Sequence, residues 1–495
     1  MNKITKENKK DFIILFIITC IIFLPFLTGH YATDTYNVAN VGYNKYALNW
    51  SLTDGRIFMA AITLIAGKLK ISIEAFSFIT LILGLVVSVI SVLYIKNIVN
   101  RYKKTKSKYE DIIVTIISYF TIFNFMYIEI MYFVESFVIA VSVLLYIIAA
   151  DILVKKEKNY IIKSLLVIIT ATLFYQGSIG MYFITVLLIS ILRNKNNIKE
   201  IFLDVVKSGI IAFIGVCINM VFVKIIEKLY GTEQIRLNTI NMIIPNIIRI
   251  IQNTPEVLVY TCRLFPPFVY LVFSLGIIEI LAFHKDNKEK TISIILKAIA
   301  IFLMGIFSAS IIYVLAFTSF NTGRMRISMG ATIGMLFILV YTETTIFEKK
   351  NVYLYLLTTM VIGYSIITII DMEYLMFSHK KVNAMEKQEV EIINNYIDEY
   401  EKETGIKVTK ISKIHIPGKT EEAYYAEVKN RSTFTCKATR SALAADAVVK
   451  YLSGRNLKKV TSIEDGKIEI VKEKTKENNG YCCIGDTFYI EIYML

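Results

Sequence analysis

The 495-residue sequence predicts an α-helical polytopic membrane protein with a small α+β domain at its C-terminal end. The chain is 55% hydrophobic and 19% charged, and its mean hydropathy is +0.55. Soluble proteins are about 45–50% apolar and about 25% charged, so a water-soluble enzyme of this length is excluded. Apolar stretches of membrane-spanning length recur up to about residue 370, and the composition then becomes that of a soluble domain. We therefore predict a transmembrane domain over 1–375 and a C-terminal domain over 376–495.

The charge distribution predicts the orientation of the chain in the membrane. The net charge is +14, with 35 basic and 23 acidic residues before Lys380 but 20 and 18 from Lys380 onwards. The basic residues stand in short runs between apolar stretches, which is typical of cytoplasmic loops and not of a nucleic-acid-binding surface. Four lysines precede the first apolar stretch. We therefore expect a cytoplasmic N-terminus, an extracytoplasmic C-terminal domain and no nucleic-acid partner.

A hydrocarbon core about 30 Å thick takes about 20 residues of helix. On that criterion we predict about eleven transmembrane helices, of which the first is an uncleaved helix and two form a hairpin within Ile161–Leu192. The other predicted helices are Phe12–Gly29, Ile73–Ile95, Ile112–Ile128, Phe133–Leu153, Val205–Ile226, Leu258–Phe283, Ile292–Phe317, Ile327–Ile346 and Leu354–Ile370.

The hairpin is the unusual member of this set. Only about thirty residues separate its two basic ends, which is too short for two full crossings. We predict a pair of short helices that turn at 175–180, around Tyr175 and Gln176. Irregular backbone at this depth is tolerated only where protein or a water-filled cavity satisfies it.

The C-terminal segment alternates helical and strand-like patterns. We predict a polar helix over Glu386–Glu403, a strand near Ile406–Ile411, a helix over Ala438–Leu452 that ends at Gly454, and a strand over Thr487–Tyr493. A disulfide between Cys436 and either Cys482 or Cys483 is one reading, and free buried thiols are the other.

Acidic residues of the membrane part collect on the predicted outer side. Asp34 and Asp54 lie in the first outer loop, and Glu129 and Glu135 flank a tight turn between two spans. The first loop also holds Trp50, the only tryptophan of the chain. Aromatic faces cover the apolar side of a sugar ring, and carboxylates and amides bind its hydroxyls, so these residues form a candidate sugar site.

Arginines on the same side are candidates for binding a phosphate, because the planar guanidinium matches phosphate oxygens. These are Arg56, Arg263, Arg324 and Arg326. Transfer of a sugar from a lipid phosphate needs a carboxylate that accepts the proton of the attacking hydroxyl, and cationic groups that stabilise the departing phosphate. Each of these residues also has a purely structural explanation. The acids would be solvated loop residues, Trp50 would lie in the membrane interface, the arginines would extend their charged ends towards the headgroups, and Tyr175 would mark a packing kink.

Soluble-enzyme motifs are absent from the sequence. It contains no GxxxxGK[ST] and no HExxH, and four histidines in 495 residues argue against a histidine-rich metal site. We therefore predict no cofactor, and the sequence does not decide whether a divalent metal ion takes part.

The order of these features resembles the GtrII-like (type II) bacterial glucosyltransferases, multi-spanning enzymes of the GT-C class. The resemblance lies in His30-Tyr31-Ala32-Thr33-Asp34-Thr35-Tyr36, Trp50 to Arg56, Leu173-Phe174-Tyr175-Gln176 and Gly323-Arg324, and it covers most of 1–375. It implies a GT-C-like fold in a bacterial plasma membrane and transfer of glucose, or a related hexose, from a polyprenyl-phosphate carrier to a cell-surface glycan. A flippase and a lipid-sugar synthase are then expected partners.

By the same resemblance, the catalytic base maps onto Asp34. The family pattern suggests an acidic pair there, but this chain has Asp34-Thr35, so the base stays open between Asp34 and Asp54. Arg56, Arg324 and Arg326 would bind the donor phosphate, and Trp50, Glu129, Tyr175 and Gln176 the sugar or acceptor. Two alternatives remain, a lipid-linked sugar flippase or polysaccharide exporter and a polysaccharide polymerase.

Overall fold

The fold is a bundle of helices that carries a small four-stranded domain on its last long helix. The structure is a computed structural model and describes residues 6–103, 105, 107–194, 197–230, 242–252, 288–314, 324, 326–344, 350–415, 437–441, 444–460, 468–478 and 480–492. The predicted span Leu258–Phe283, Arg263 and Cys436 lie outside these residues.

The helices of the described chain differ widely in length, from single turns to 55 residues. They are α1 (Lys6–Ile22), α2 (Leu24–Leu27), α3 (Thr33–Val41), α4 (Tyr43–Tyr46), α5 (Ile57–Lys68), α6 (Ile73–Tyr102), α7 (Lys108–Ile122), α8 (Ile128–Tyr132), α9 (Ser136–Lys155), α10 (Tyr160–Phe174), α11 (Gly180–Asn194), α12 (Ile198–Tyr230), α13 (Ile243–Gln252), α14 (Lys288–Ser310), α15 (Ile327–Thr344), α16 (Lys350–Thr404), α17 (Ala445–Ser453) and α18 (Ile468–Glu477). One π-helix (Ala47–Leu52) and short 3-10 turns connect some of them.

Six helical segments of the described chain are long and apolar enough to cross a membrane, and a seventh results if α7 and the bent segment Phe125–Tyr132 count as one span. The protein is therefore a helical membrane protein. The eleven-helix count stays a prediction, because some predicted spans are helices of only 15–17 residues or lie outside the described chain. The predicted hairpin is present: α10 and α11 are separated by a 3-10 turn over Gln176–Ser178.

Ion pairs bring together the helix ends that the charge pattern assigns to the cytoplasm. Lys96 near the end of α6 contacts Asp11 of α1 and Asp111 of α7 at 2.7 and 2.8 Å. Arg101 contacts Asp151 near the end of α9, and Lys156 contacts Asp204 of α12. The residues predicted to lie on the outer side are at the opposite ends of these helices.

The predicted boundary at residue 375 falls inside α16, which runs without a break from the bundle into the C-terminal domain. Its apolar first part ends near Phe377, and a 30 Å hydrocarbon core takes only about 20 residues of it. The charged remainder therefore projects beyond the membrane. The predicted polar helix Glu386–Glu403 is this projecting part.

The C-terminal sheet has the strand order β2-β1-β4-β3. The strands are β1 (Lys410–His415), β2 (Lys458–Val460), β3 (Tyr481–Ile484) and β4 (Thr487–Ile492). β1 is parallel to both neighbours, and β3 pairs antiparallel with β4. Val390, Ile393 and Ile397 of α16 share one apolar core with α17 and the sheet.

Three C-terminal predictions need correction or confirmation. The strand predicted at Ile406–Ile411 begins only at Lys410, because residues 405–409 form an irregular connection after α16. The helix predicted over Ala438–Leu452 is a 3-10 turn followed by α17, which ends at Gly454 as predicted, with φ +71°. Cys482 and Cys483 are free buried thiols.

Candidate functional site

Asp34 is the second residue of α3 and lies in the first turn of this helix. The Thr35 hydroxyl accepts the backbone N–H of Ala32 at 3.1 Å and so caps the start of this helix. Thr35 is 2% exposed, whereas Asp34 is half-buried. Thr35, where the family resemblance suggests a second acid, therefore stabilises the start of α3, and Asp34 remains accessible to solvent.

The turn before α5 is held in a conformation that only glycine adopts easily. Gly55 has φ +74°, and a Cβ there would lie 2.7 Å from Asn219 Oδ1 and 2.9 Å from Gln176 Nε2. Gln176 Nε2 donates to the Asp54 carbonyl at 2.7 Å and to Asn219 Oδ1 at 3.1 Å. Asn219 Nδ2 donates to the Gly55 carbonyl at 3.2 Å. The hairpin and α12 together fix the backbone of Asp54 and Gly55, which directly precede Arg56.

Arg56 is the centre of a buried ion-pair cluster. Its Nη1 lies 2.8 and 2.9 Å from the two carboxylate oxygens of Glu135, and its Nη2 lies 3.3 Å from Asp54 Oδ2. The Tyr46 hydroxyl donates to Glu135 Oε1 at 3.1 Å. The Glu135 side chain is 2% exposed, and those of Arg56 and Asp54 are 10% and 13% exposed. Glu135 therefore balances a charge that the protein has buried.

A second cation, Arg324, also lies near Tyr175. The Arg56 guanidinium lies over the Tyr175 ring with its Cζ 4.9 Å from the centroid, and Arg324 Cζ lies 4.0 Å from the centroid of Phe133. The Arg324 backbone N–H donates to Glu129 Oε2 at 3.0 Å. Burial alone would lower the pKa of the Arg324 guanidinium, but nearby Tyr175 and the carboxylates of Asp34, Glu129 and Glu135 raise it above its ordinary value.

Arg324 leaves two guanidinium nitrogens without a hydrogen-bond partner within the described chain, whereas Arg56 leaves only its Nε. The two nitrogens of Arg324 are Nε and Nη1, and both are buried. A buried guanidinium with unpaired donors has the chemistry to hold an anion, because an unsatisfied charged donor is costly.

The remaining predicted site residues occupy varied environments. Trp50 is 37% exposed and stacks on Tyr46 with centroids 6.5 Å apart. Arg326 and Glu129 are each 1% exposed and lie in the interior of the protein. Tyr175 is 1% exposed, and its hydroxyl has no hydrogen-bond partner within the described chain. Gln176 uses its amide on the turn at Asp54, and its predicted contact with a sugar stays a prediction.

Sequence reasoning missed Tyr46, Phe133 and Asn219. Asn219 carries the clearest signal, since it is a polar residue within a long apolar helix, and such residues usually face the interior of the bundle. Tyr46 and Phe133 carry none, because aromatic residues are common throughout this chain.

The four carboxylates that the sequence predicts to lie on the outer side divide into two kinds. Glu129 and Glu135 are buried and neutralise or hold arginines, whereas Asp34 and Asp54 are partly exposed. Only the second kind can meet a substrate hydroxyl directly. Within the described chain, no group of three or more His, Cys, Asp or Glu residues is arranged to hold a metal ion.

Comparison with models of known protein families and with curated proteins gives no match to this chain.

Proposed function

We propose that the protein is a membrane glycosyltransferase that moves glucose, or a related hexose, from a polyprenyl-phosphate carrier to a cell-surface glycan on the extracytoplasmic side. One observation carries the proposal. Two arginines and four carboxylates from separate parts of the chain converge around Tyr175 at one end of the helical bundle. Such a site offers both an anion-binding group and a general base beside a membrane.

Arg324 is the better candidate for the donor phosphate. Arg56 already faces Glu135 and Asp54, whereas Arg324 has two buried donors that no described residue occupies. A guanidinium at this position would balance the charge that develops on the departing polyprenyl phosphate. Arg326 follows two residues later and adds to the positive charge of this region.

The general base is Asp34 or Asp54. The carboxylate takes the proton of the acceptor hydroxyl, the oxygen forms a bond to the anomeric carbon, and the bond from that carbon to the phosphate oxygen breaks. The lipid phosphate leaves with the bonding pair. Trp50 presents a partly exposed ring beside Tyr46, which suits the apolar face of a hexose.

The test is transfer of labelled hexose from polyprenyl-phosphate-glucose in membranes that carry single variants. We expect Asp34→Asn or Asp54→Asn to lower the transfer rate by about 100-fold or more, the range for a general base. Asp111→Asn is the matched control, because Asp111 also pairs with a buried cation but at the opposite end of the bundle. Full activity of both site variants at normal expression would remove these carboxylates from the mechanism.

The charges of the described bundle bear on the flippase or exporter alternative. A transport path needs polar groups across the bilayer, but the ion pairs of the described helices gather at the two ends of the bundle. A polymerase would use the same site chemistry and differ in product. Loss of a polymerase shortens glycan chains, whereas loss of the proposed enzyme removes side-branch hexose.

A further inference from the structure

One face of the projecting part of α16 holds the backbone that leads into α3. His379, Asn383 and Glu386 are spaced four and three residues apart, so they share one side of the helix. His379 Nε2 lies 3.0 Å from the Tyr31 carbonyl oxygen. Asn383 bonds both backbone groups of Tyr31: its Oδ1 accepts the N–H at 2.9 Å, and its Nδ2 donates to the carbonyl at 3.0 Å.

Glu386 extends the same contact to α3 itself and to the C-terminal domain. Its Oε2 accepts the Tyr36 hydroxyl at 3.0 Å and Asn383 Nδ2 at 3.0 Å, and its Oε1 accepts the Ala438 backbone N–H. Glu386 is 1% exposed and Tyr36 is 1% exposed. One buried carboxyl therefore joins the long helix, the first outer loop and the C-terminal domain.

Aromatic packing closes the other side of α3. The rings of Tyr31 and Tyr36 stack with centroids 5.4 Å apart, and Tyr451 of α17 lies 5.8 Å from each of them. The Tyr31 and Tyr451 hydroxyls both donate to Glu74, at the start of α6. Residues 31–36 are thus enclosed by the C-terminal domain on one side and the bundle on the other.

We propose that His379, Asn383 and Glu386 are positioning residues, which use the docked C-terminal domain to hold residues 31–36 and thereby set the location of Asp34 in the candidate site. The placement of this segment does not depend on the proposed function. Its effect on catalysis rests on that function.

The protonation of Glu386 couples this placement to pH. Burial raises the pKa of the Glu386 carboxyl from 4.5 to about 7, against the opposing effect of the Ala438, Asn383 and Tyr36 donors. The other ionisable groups around it are Tyr36 of α3 and Glu389 of α16. Glu389 is engaged by Arg440, whose Nη2 lies 2.6 Å away, and by Lys437. Two histidines complete the set: His379 lies on α16 seven residues before Glu386, and its ring centroid is 6.0 Å from that of His30.

The direction of the pH effect follows from the raised pKa. The folded state binds the proton more tightly than the unfolded chain, so the protonated form favours docking. This stabilisation is complete below about pH 4.5 and is lost as the pH rises through about 7. The C-terminal domain should therefore hold residues 31–36 less firmly as the pH rises from about 4.5 to above 7.

Hydrogen exchange of the purified full chain in detergent tests the placement directly. We expect Glu386→Ala to speed amide exchange in residues 31–41 by about tenfold or more, as local opening becomes cheaper, and to leave α11 unchanged. Glu391→Ala is the control, because Glu391 is an exposed glutamate on the same helix. Unchanged exchange of residues 31–41 in Glu386→Ala would overturn the proposal.

Fluorescence of Trp50, the only tryptophan, tests the pH dependence independently of activity. Trp50 follows α3 by nine residues, and we expect its emission in the wild type to change with a midpoint near pH 7. Glu386→Gln, which cannot ionise, should remove the transition, and Glu391→Gln should retain it. A transition that persists in Glu386→Gln would assign it to His379 or His30 and overturn the role of Glu386.

Hexose transfer separates this proposal from the proposed function. At pH 6 we expect about a 10- to 100-fold loss of transfer in Glu386→Ala, since small misplacements of a catalytic group are costly, and near-normal transfer in Glu386→Gln. Faster exchange in residues 31–41 with undiminished transfer supports the positioning and overturns the role of Asp34 in the reaction. Lost transfer with unchanged exchange overturns the positioning alone.

Discussion

Replacement of Glu135 by glutamine tests whether the buried ion pair, and not packing, holds Arg56 in place. The variant keeps the size of the side chain and one acceptor oxygen but leaves the guanidinium without its closest counter-charge. Breaking a buried pair costs about 3–5 kcal/mol. Asp54 still lies 3.3 Å from Arg56, so we expect the lower end, a loss of about 3 kcal/mol in the free energy of unfolding.

The measurement is a denaturing-detergent titration of the purified protein followed by far-ultraviolet circular dichroism. Glu469→Gln provides the control, because Glu469 pairs with Lys472 on the surface and its side chain is 86% exposed. Exposed pairs contribute about 0.2–1 kcal/mol. A Glu135→Gln variant no less stable than the Glu469→Gln control would refute the assignment of Glu135 as the essential counter-charge of Arg56. If Glu135 is this counter-charge, a double-mutant cycle of Glu135→Gln with Arg56→Met should show about 2 kcal/mol of coupling or more.

Two further predictions concern backbone and thiols. Gly55→Ala should lower the free energy of unfolding by about 2 kcal/mol, because φ is +74° and the added Cβ meets Asn219 and Gln176. Gly209→Ala is the control and should be neutral or slightly stabilising, because a Cβ at this position of α12 meets open space. Equal effects of the two substitutions in the same titration would contradict this prediction. Cys482 and Cys483 should resist iodoacetamide at pH 8 until the protein is unfolded, because burial raises the pKa of both thiols to about 12. Mass spectrometry of the labelled protein checks this, and rapid labelling of the folded chain would show that β3 is open.

The elements that sequence reasoning predicted best are those set by a strong local or chain-wide signal. The turn at Tyr175 and Gln176 followed from the distance between two basic ends, and Gly454 ended a helix as expected. The proximity of Asp34, Asp54, Arg56, Glu129 and Arg324 agrees with their placement on one predicted face of the membrane.

The elements that were missed depend on contacts between distant residues. The boundary at 375 was placed where composition changes, but helical periodicity continues through it, so α16 is one helix. The short helix α5 was not expected because it has only 12 residues. The contacts of Asn383 and Glu386 with residues 31–36 join positions more than 340 residues apart, and no local pattern encodes them.

The division of the carboxylates into buried and accessible groups decides how their substitutions can be interpreted. Glu135 balances a buried cation, so its loss should lower stability and activity together. Asp34 is half-buried at a helix start, so Asp34→Asn removes a charge that water can also solvate, and a loss of transfer without a loss of stability would indicate chemistry. Asp54 is the harder case, because its carboxylate contacts Arg56 while its carbonyl holds Gln176. A stability measurement on both variants beside the transfer assay therefore distinguishes a general base from a residue that only keeps Arg56 in place.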